Sequence, residues 1–394
     1  MAKLPGNAGV SVIGDKSLEF YRDPVSFCQK RIEKHRSRVF QCRVLNRPTA
    51  FVCSVQGMRE LLCEKSNVFL KDPTDLMTNM YGDTMVTTNG EEACLLRLSL
   101  TSLFTGSCLN ESNDYITSVC ERCLKDLSLS GQPQCVYSDF KRLGTELVLG
   151  LFMNVRAEEQ PELFQEIMQL CTQHWHGLIS APVNVKVPLW SSGFSTAMEA
   201  RDRLMEIIKD KLENDKQGFV GSLGSLPLPN SSSASQHLLL FISALIPKAL
   251  ASLLTSFTLA LSGNRQARRR ALEDPDYLHT VLLEVQRLWP PFIGGRRIAD
   301  QVGLGCILLI NKNAGQEHFL CSFGNGPRSC IGTKLNDVFL KEACLYLLKN
   351  YDWCLDPPSQ DLEYKWLPVS RPANPPTISF TRLDRTRSDG SDTS

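Results

Sequence analysis

Between Phe323 and Gly332 the chain reads FGNGPRSCIG, and almost at once it enters KLNDVFLKEACLYLLKN, where Leu335, Val338, Phe339, Ala343, Tyr346 and Leu347 fall on one helical face. Cys330 therefore stands just ahead of a helix. The N–H groups and the positive end of the helix dipole favour a thiolate there, and a thiolate is a strong axial ligand for haem iron. Gly326 and Gly332 let the backbone turn tightly and approach a flat cofactor. Arg328 can neutralise a haem propionate, and Phe323 can pack beside the sulfur and keep water off it. A buried cysteine in a glycine-rich turn that caps a helix is the simpler reading, but it leaves these five fixed positions unexplained. An iron–sulfur site needs four suitably spaced cysteines, which are absent around Cys330.

The rest of the chain sets the bounds. With 394 residues, 42% of them hydrophobic, it can bury a large core, and a net charge of +1 directs it to neither nucleic acid nor an anionic surface. Fifteen cysteines, an odd number scattered from Cys28 to Cys354, form no disulfide framework and read as reduced, small hydrophobes facing the cytosol. Cys120-Glu-Arg-Cys123 could suggest redox chemistry or zinc, yet it lies in a helical pattern without a second metal-like pair. No signal peptide opens the chain at MAKLPGN. The apolar run Leu238–Leu261 is long enough to span a membrane, but Pro247-Lys248 at its centre argues for a long helix through a soluble core.

Most of what remains is helical: Pro24 to Arg36, Met58 to Cys63, then 91–105, 113–128, 138–153, 161–176 and 196–214, and a helix ending at Leu288-Trp289-Pro290-Pro291. RVFQCRVLNRPTAFVCS reads as two short strands around an Asn46-Arg47-Pro48 turn. Gly221 to Gln236 reads as a flexible polar connection, and residues 383–394 as a disordered tail behind a single domain, 1–382.

Phe-x-x-Gly-x-Arg-x-Cys-x-Gly is the haem-binding signature of the cytochrome P-450 family, which the chain resembles along most of its length. Glu284-Val285-Gln286-Arg287 matches the family's Glu-x-x-Arg, a pair that locks the core near the haem. Arg297 matches a basic residue that contacts one propionate, and Arg97 a helix arginine that contacts the other; Ala93 stands where an aromatic or histidine is expected. The strand pair, GGRRIA and KNYDW resemble the retinoic-acid-hydroxylase branch. The resemblance implies a mainly α fold with a small β subdomain and heme b bound through Cys330. It also implies a lipophilic substrate such as a retinoid or sterol, with O2 and an electron-donating reductase. The family's microsomal members sit on the cytosolic side of the endoplasmic reticulum. Since the chain begins about where their anchor ends, it is expected at most to associate peripherally with a membrane, or to be cytoplasmic.

Three departures keep other readings open. The segment between Arg297 and Phe323 is short, the meander arginine that joins Glu284 and Arg287 has no match, and Ser243 to Ala249 lacks the acid–threonine pair that relays protons to iron-bound oxygen. Pro247 is expected to kink or break the helix there. A haem–thiolate monooxygenase, a haem–thiolate isomerase or peroxide-using enzyme, and a truncated non-catalytic product all remain compatible with the sequence.

Overall fold

The computed structural model describes residues 4–66, 69–70, 75–129, 131–179, 193–298, 305–308 and 322–383. The expected tail and most of the short segment before Phe323 lie outside them. Helix α1 (Pro24–His35) starts where Asp23 Oδ1 accepts from the backbone N–H groups of Val25 and Ser26, with Pro24 in its first turn, and it ends at Arg36 in the left-handed region. Strands β1 (Val39–Val44) and β2 (Arg47–Val52) form a hairpin. Its turn is Leu45–Asn46, both at positive φ, and not Asn46-Arg47-Pro48. Pro48 is accommodated inside β2 because pairing with the next strand begins only at Thr49.

Further helices are α2 (Gly90–Thr101), α3 (Gly106–Leu124), α4 (Val136–Met153), α5 (Pro161–Ile179) and α6 (Gly193–Asn214). The Gly221–Gln236 stretch is more ordered than its composition predicts. A short helix covers Gly218–Gly224, and α7 (Ser233–Ile242) already begins at Ser233. The long apolar run is two helices, α7 and α8 (Leu245–Ala260), separated at Ser243–Ala244. Pro247 falls in the first turn of α8, where a missing N–H costs no intrahelical bond. Ser233–Ala260 is long and apolar enough to cross a bilayer, but 72% of its apolar window is buried inside the protein.

Helix α9 (Pro275–Leu288) leads to β3 (Gly294–Ile298) and β4 (Gly305–Leu308). These two complete a five-stranded sheet in the order β1-β2-β4-β3 with the two-residue strand Phe69–Leu70 at its edge; only β2 and β4 run parallel. Helix α10 (Thr333–Asn350) buries Phe339, Leu340, Ala343, Cys344, Leu347 and Leu348, so its inner face is turned slightly from the one predicted. Strand β5 (Tyr351–Leu355) then pairs with β6 (Thr377–Arg382). One core cluster joins α3, α4, α8, α9 and α10, and a second joins α4 to α7; α4 and α8 therefore stand at the centre of the molecule. The Phe20, Phe27, Phe40 and Phe51 rings pack a smaller third core under the sheet.

Candidate active site

The 323–332 loop is held from both sides by backbone contacts. The N–H of Cys330 donates to the carbonyl of Phe323 at 2.8 Å and closes the loop on itself. Gly326 has φ +69°, and a Cβ there would lie 2.0 Å from the carbonyl oxygen of Leu62, so the loop presses against the preceding chain in a way only glycine permits. Gly332 caps α10, and a Cβ on it would come 3.7 Å from Cys330 Sγ.

Two arginines reach this loop from opposite directions. Arg97, on α2, donates to the carbonyl of Ser329 across 232 residues of sequence. Arg328 donates to the carbonyl of Thr88 at 2.7 Å. Burial pulls the pKa of each guanidinium down; Arg97 adds to the effect on Arg328, while the thiols of Cys330 and Cys94 oppose it on Arg97. Among the described residues no carboxylate balances the pair, so two partly desolvated cations face each other beside a thiol.

These groups form one wall of a cavity of about 440 Å3, to which Phe323, Gly324 and Gly332 also contribute. The opposite wall is α8, through Leu245, Ile246, Ala249, Leu250 and Leu253. Every one of those side chains is aliphatic. Lys248 turns aside and places its amine 4.4 Å from the centroid of the Trp175 ring; burial, with Lys141 and Arg371 nearby, pulls its pKa down to about 7. The break in α7–α8 is therefore real, and the window Ser243 to Ala249 offers the cavity neither acid nor hydroxyl.

Glu284 and Arg287 make a two-point ion pair at 2.7 Å that depresses the carboxyl pKa, and Arg287 also lines the cavity. Arg297 is placed by its backbone alone, paired with Leu70 and Gly305 at the sheet's edge. Ala93 is fully buried on α2 and offers no polar group. Cys120 is buried on α3, where desolvation holds its thiol protonated, and among the described residues no cluster of three candidate metal ligands exists. The sequence did not single out Val25 and Trp366, which close one end of the cavity. They come from α1 and from beyond α10, and no local pattern links them.

The residues fit a haem. A cysteine sulfur and the guanidinium groups of Arg97 and Arg328 line one cavity with no carboxylate among its described lining residues, and the α8 side chains that line it are apolar.

No protein-family model matches the chain. It is 25% identical over 212 residues to beta-amyrin 11-oxidase of Glycyrrhiza uralensis, a match covering 52% of this chain and 41% of that enzyme. It is 23% identical over 433 residues to a putative cytochrome P-450 120 of Synechocystis, covering 93% and 94%. With cytochrome P-450 26B1 of Danio rerio the identity is 21% over 420 residues, covering 86% and 80%. Among solved structures, the retinoic-acid-bound cyanobacterial CYP120A1 superposes with a TM-score of 0.80 at 22% identity, over 96% of this chain and 99% of that one. The fold is that of the cytochromes P-450, and the sequence resembles that family.

Proposed function

We propose that the chain is a haem–thiolate monooxygenase with Cys330 as the axial ligand of heme b and a lipophilic substrate, a retinoid, sterol or similar molecule, in the apolar space under α8. The observation that carries this reading is the convergence of Cys330, Arg97 and Arg328 on one cavity whose far wall is aliphatic. Bound haem supplies the oxygen chemistry, using O2 and electrons from a reductase. The chain supplies the rest. Arg97 and Arg328 offer charge-assisted hydrogen bonds to the carboxylates of the group. The resemblance assigns Arg297 a similar contact. Phe323 and Gly332 line the cavity beside Cys330, whose side chain is exposed, so that bound haem would cover the sulfur. The Glu284–Arg287 pair braces the end of α9 just before Pro290–Ile293 enter the cavity wall.

Relatives named for beta-amyrin oxidation, and a neighbour with retinoic acid bound, support a lipophilic substrate. The aliphatic face of α8 favours a second reading in the same site, a peroxide-using enzyme or isomerase that needs no proton relay from this helix. A haem-free product would be a non-catalytic paralogue. The absorption spectrum of the reduced, CO-bound protein tests the ligand and the haem-free alternative, and dependence on a reductase separates the other two readings. A strongly red-shifted Soret band is expected and should vanish in Cys330→Ala; a variant that keeps the band has another ligand, and the assignment then fails.

We also place the chain peripherally on the cytosolic face of the endoplasmic reticulum. An exposed aliphatic patch near residue 12 supports this. Ser11 and the backbone of Val12 bond to Asn46, and Ser17 to the N–H of Leu45, so the segments that carry the exposed Val12, Ile13, Leu18 and Leu45 meet at the hairpin turn.

A further inference from the structure

A second cavity, of about 420 Å3, lies beside the first. Val25 and Trp366 line both, so the two spaces share these side chains as a partition. The chemistry on the two sides differs. The first cavity is mainly apolar, and its charged lining residues, Arg97, Arg287 and Arg328, are all cations. The second has two carboxylates, Asp23 and Glu363, and among its described lining residues no cation offsets them. Asp23 is held in place at the rim because its Oδ1 accepts from Val25 and Ser26 at 3.0 Å.

Three aromatic rings join Leu259, Ala260 and Leu362 in the rest of the lining. Trp289 and Tyr364 stack with centroids 5.7 Å apart and planes at 24°, and Trp366 lies 5.8 Å beyond Tyr364. The hydroxyl of Tyr364 is committed to Ser256 at 2.8 Å, which leaves the cavity mainly the ring and not a polar handle. Aromatic surface with negative charge suits an organic cation, which is weakly hydrated and attracted by both. A carboxylate head would meet two like charges.

We propose that the second cavity binds the ammonium head of a lipophilic amine, whose tail displaces the Val25 and Trp366 side chains to enter the first cavity. The head site stands on its own residues; the tail's destination rests on the haem–thiolate reading above. The substrate class that follows is a cationic amphiphile, in contrast to a free carboxylic acid.

Choline and its neutral isostere 3,3-dimethylbutan-1-ol, titrated into the full haem-loaded chain with tryptophan fluorescence as the signal, test the head site. Choline should half-saturate at a concentration at least about tenfold lower, and added salt should weaken it. Asp23→Asn with Glu363→Gln should abolish the preference; asparagine keeps the helix cap, and an unchanged haem content shows that the chain still folds. Equal binding of the two probes, or choline binding unchanged in the double variant, would overturn the proposal. Dodecyltrimethylammonium, dodecanol and dodecanoate, each below its micelle concentration, then test the tail through the Soret band. The ammonium should shift the band at the lowest concentration. Equal shifts by all three would leave the haem pocket standing and refute the cation head. Choline selectivity without any Soret response would uphold the head site and sink the reading of the first cavity.

Discussion

Two glycines of one loop differ in what they allow. At Gly326 the backbone is left-handed and a methyl group would collide with the Leu62 carbonyl. Gly326→Ala should therefore displace the loop and lower haem retention sharply, while the two main cores, whose buried members all lie outside the loop, keep the chain folded. At Gly332 φ is −83° and the nearest atom to a new Cβ is Cys330 Sγ at ordinary contact distance, so Gly332→Ala should fold and load haem with at most a small spectral shift. Haem content per folded chain, measured on both variants, checks the contrast. His174 offers a different test. It is fully buried, its Nε2 lies 3.2 Å from the Met80 carbonyl, and burial pulls its pKa down to about 4. The unfolded chain, near 6.5, then binds more protons than the folded one between pH 6.5 and 4. Stability present above pH 6.5 should fall by roughly 3 kcal/mol as the pH drops through that window. Denaturation midpoints at pH 7 and pH 4.5 should differ less in His174→Asn than in the parent chain.

At the scale of the element, the break between α7 and α8 decides what the cavity can do. The start of α8 packs hard on α4: a Cβ on Gly144 would come 3.0 Å from the Cα of Pro247. The helix is thus pinned with Leu245, Ile246 and Ala249 toward the cavity and Lys248 toward Trp175. A positioned proton donor typically contributes about 10²–10⁴-fold, and this face provides none. Reductase-driven turnover is expected to release mostly peroxide, and peroxide-driven turnover to exceed it. Ala249→Thr, which puts a hydroxyl on the cavity face, should move the ratio toward product. The assay is product formed against peroxide released per NADPH consumed. Efficient coupling in the parent chain would show that ordered water does the work of the absent pair.

For the whole molecule, the surface near the first residues described is the unusual feature. Leu18 is 90% exposed, Ile13 88% and Val12 74%, and Leu45 joins them across the hairpin turn. Monomeric proteins rarely leave such neighbours in water. Lys16 and Arg47 lie exposed near the same turn. The chain should sediment with vesicles containing anionic lipid, and Ile13→Ser with Leu18→Ser should weaken this by about tenfold or more, since each side chain forfeits apolar burial. Equal partitioning of parent and variant would remove the patch from the contact.

The Phe323–Gly332 loop and the Glu284–Arg287 pair were legible in the sequence because each depends on spacing along a few residues: a turn that needs glycine, a helix start behind a cysteine, two charges three apart on one helix, whereas Arg97 was singled out by the family resemblance alone. The helices were legible because apolar periodicity is local as well. Their ends were less so. Composition made Gly221–Gln236 look flexible, whereas burial of Val220 and Leu223 and an early start to α7 order most of it. The hairpin turn moved to Leu45–Asn46 because pairing from Thr49 onward, not proline, sets the register of β2. The two cavities themselves were invisible. Arg97 meets Ser329, and Arg328 meets Thr88, across more than two hundred residues, and Val25 and Trp366, from near opposite ends of the chain, line the same cavities. The sequence determined the chemistry of the loop, since its local rules act within a turn or two. Only the packing of α4 against α8, and the placing of Val25 and Trp366 on the same cavities, decided which distant side chains face that chemistry.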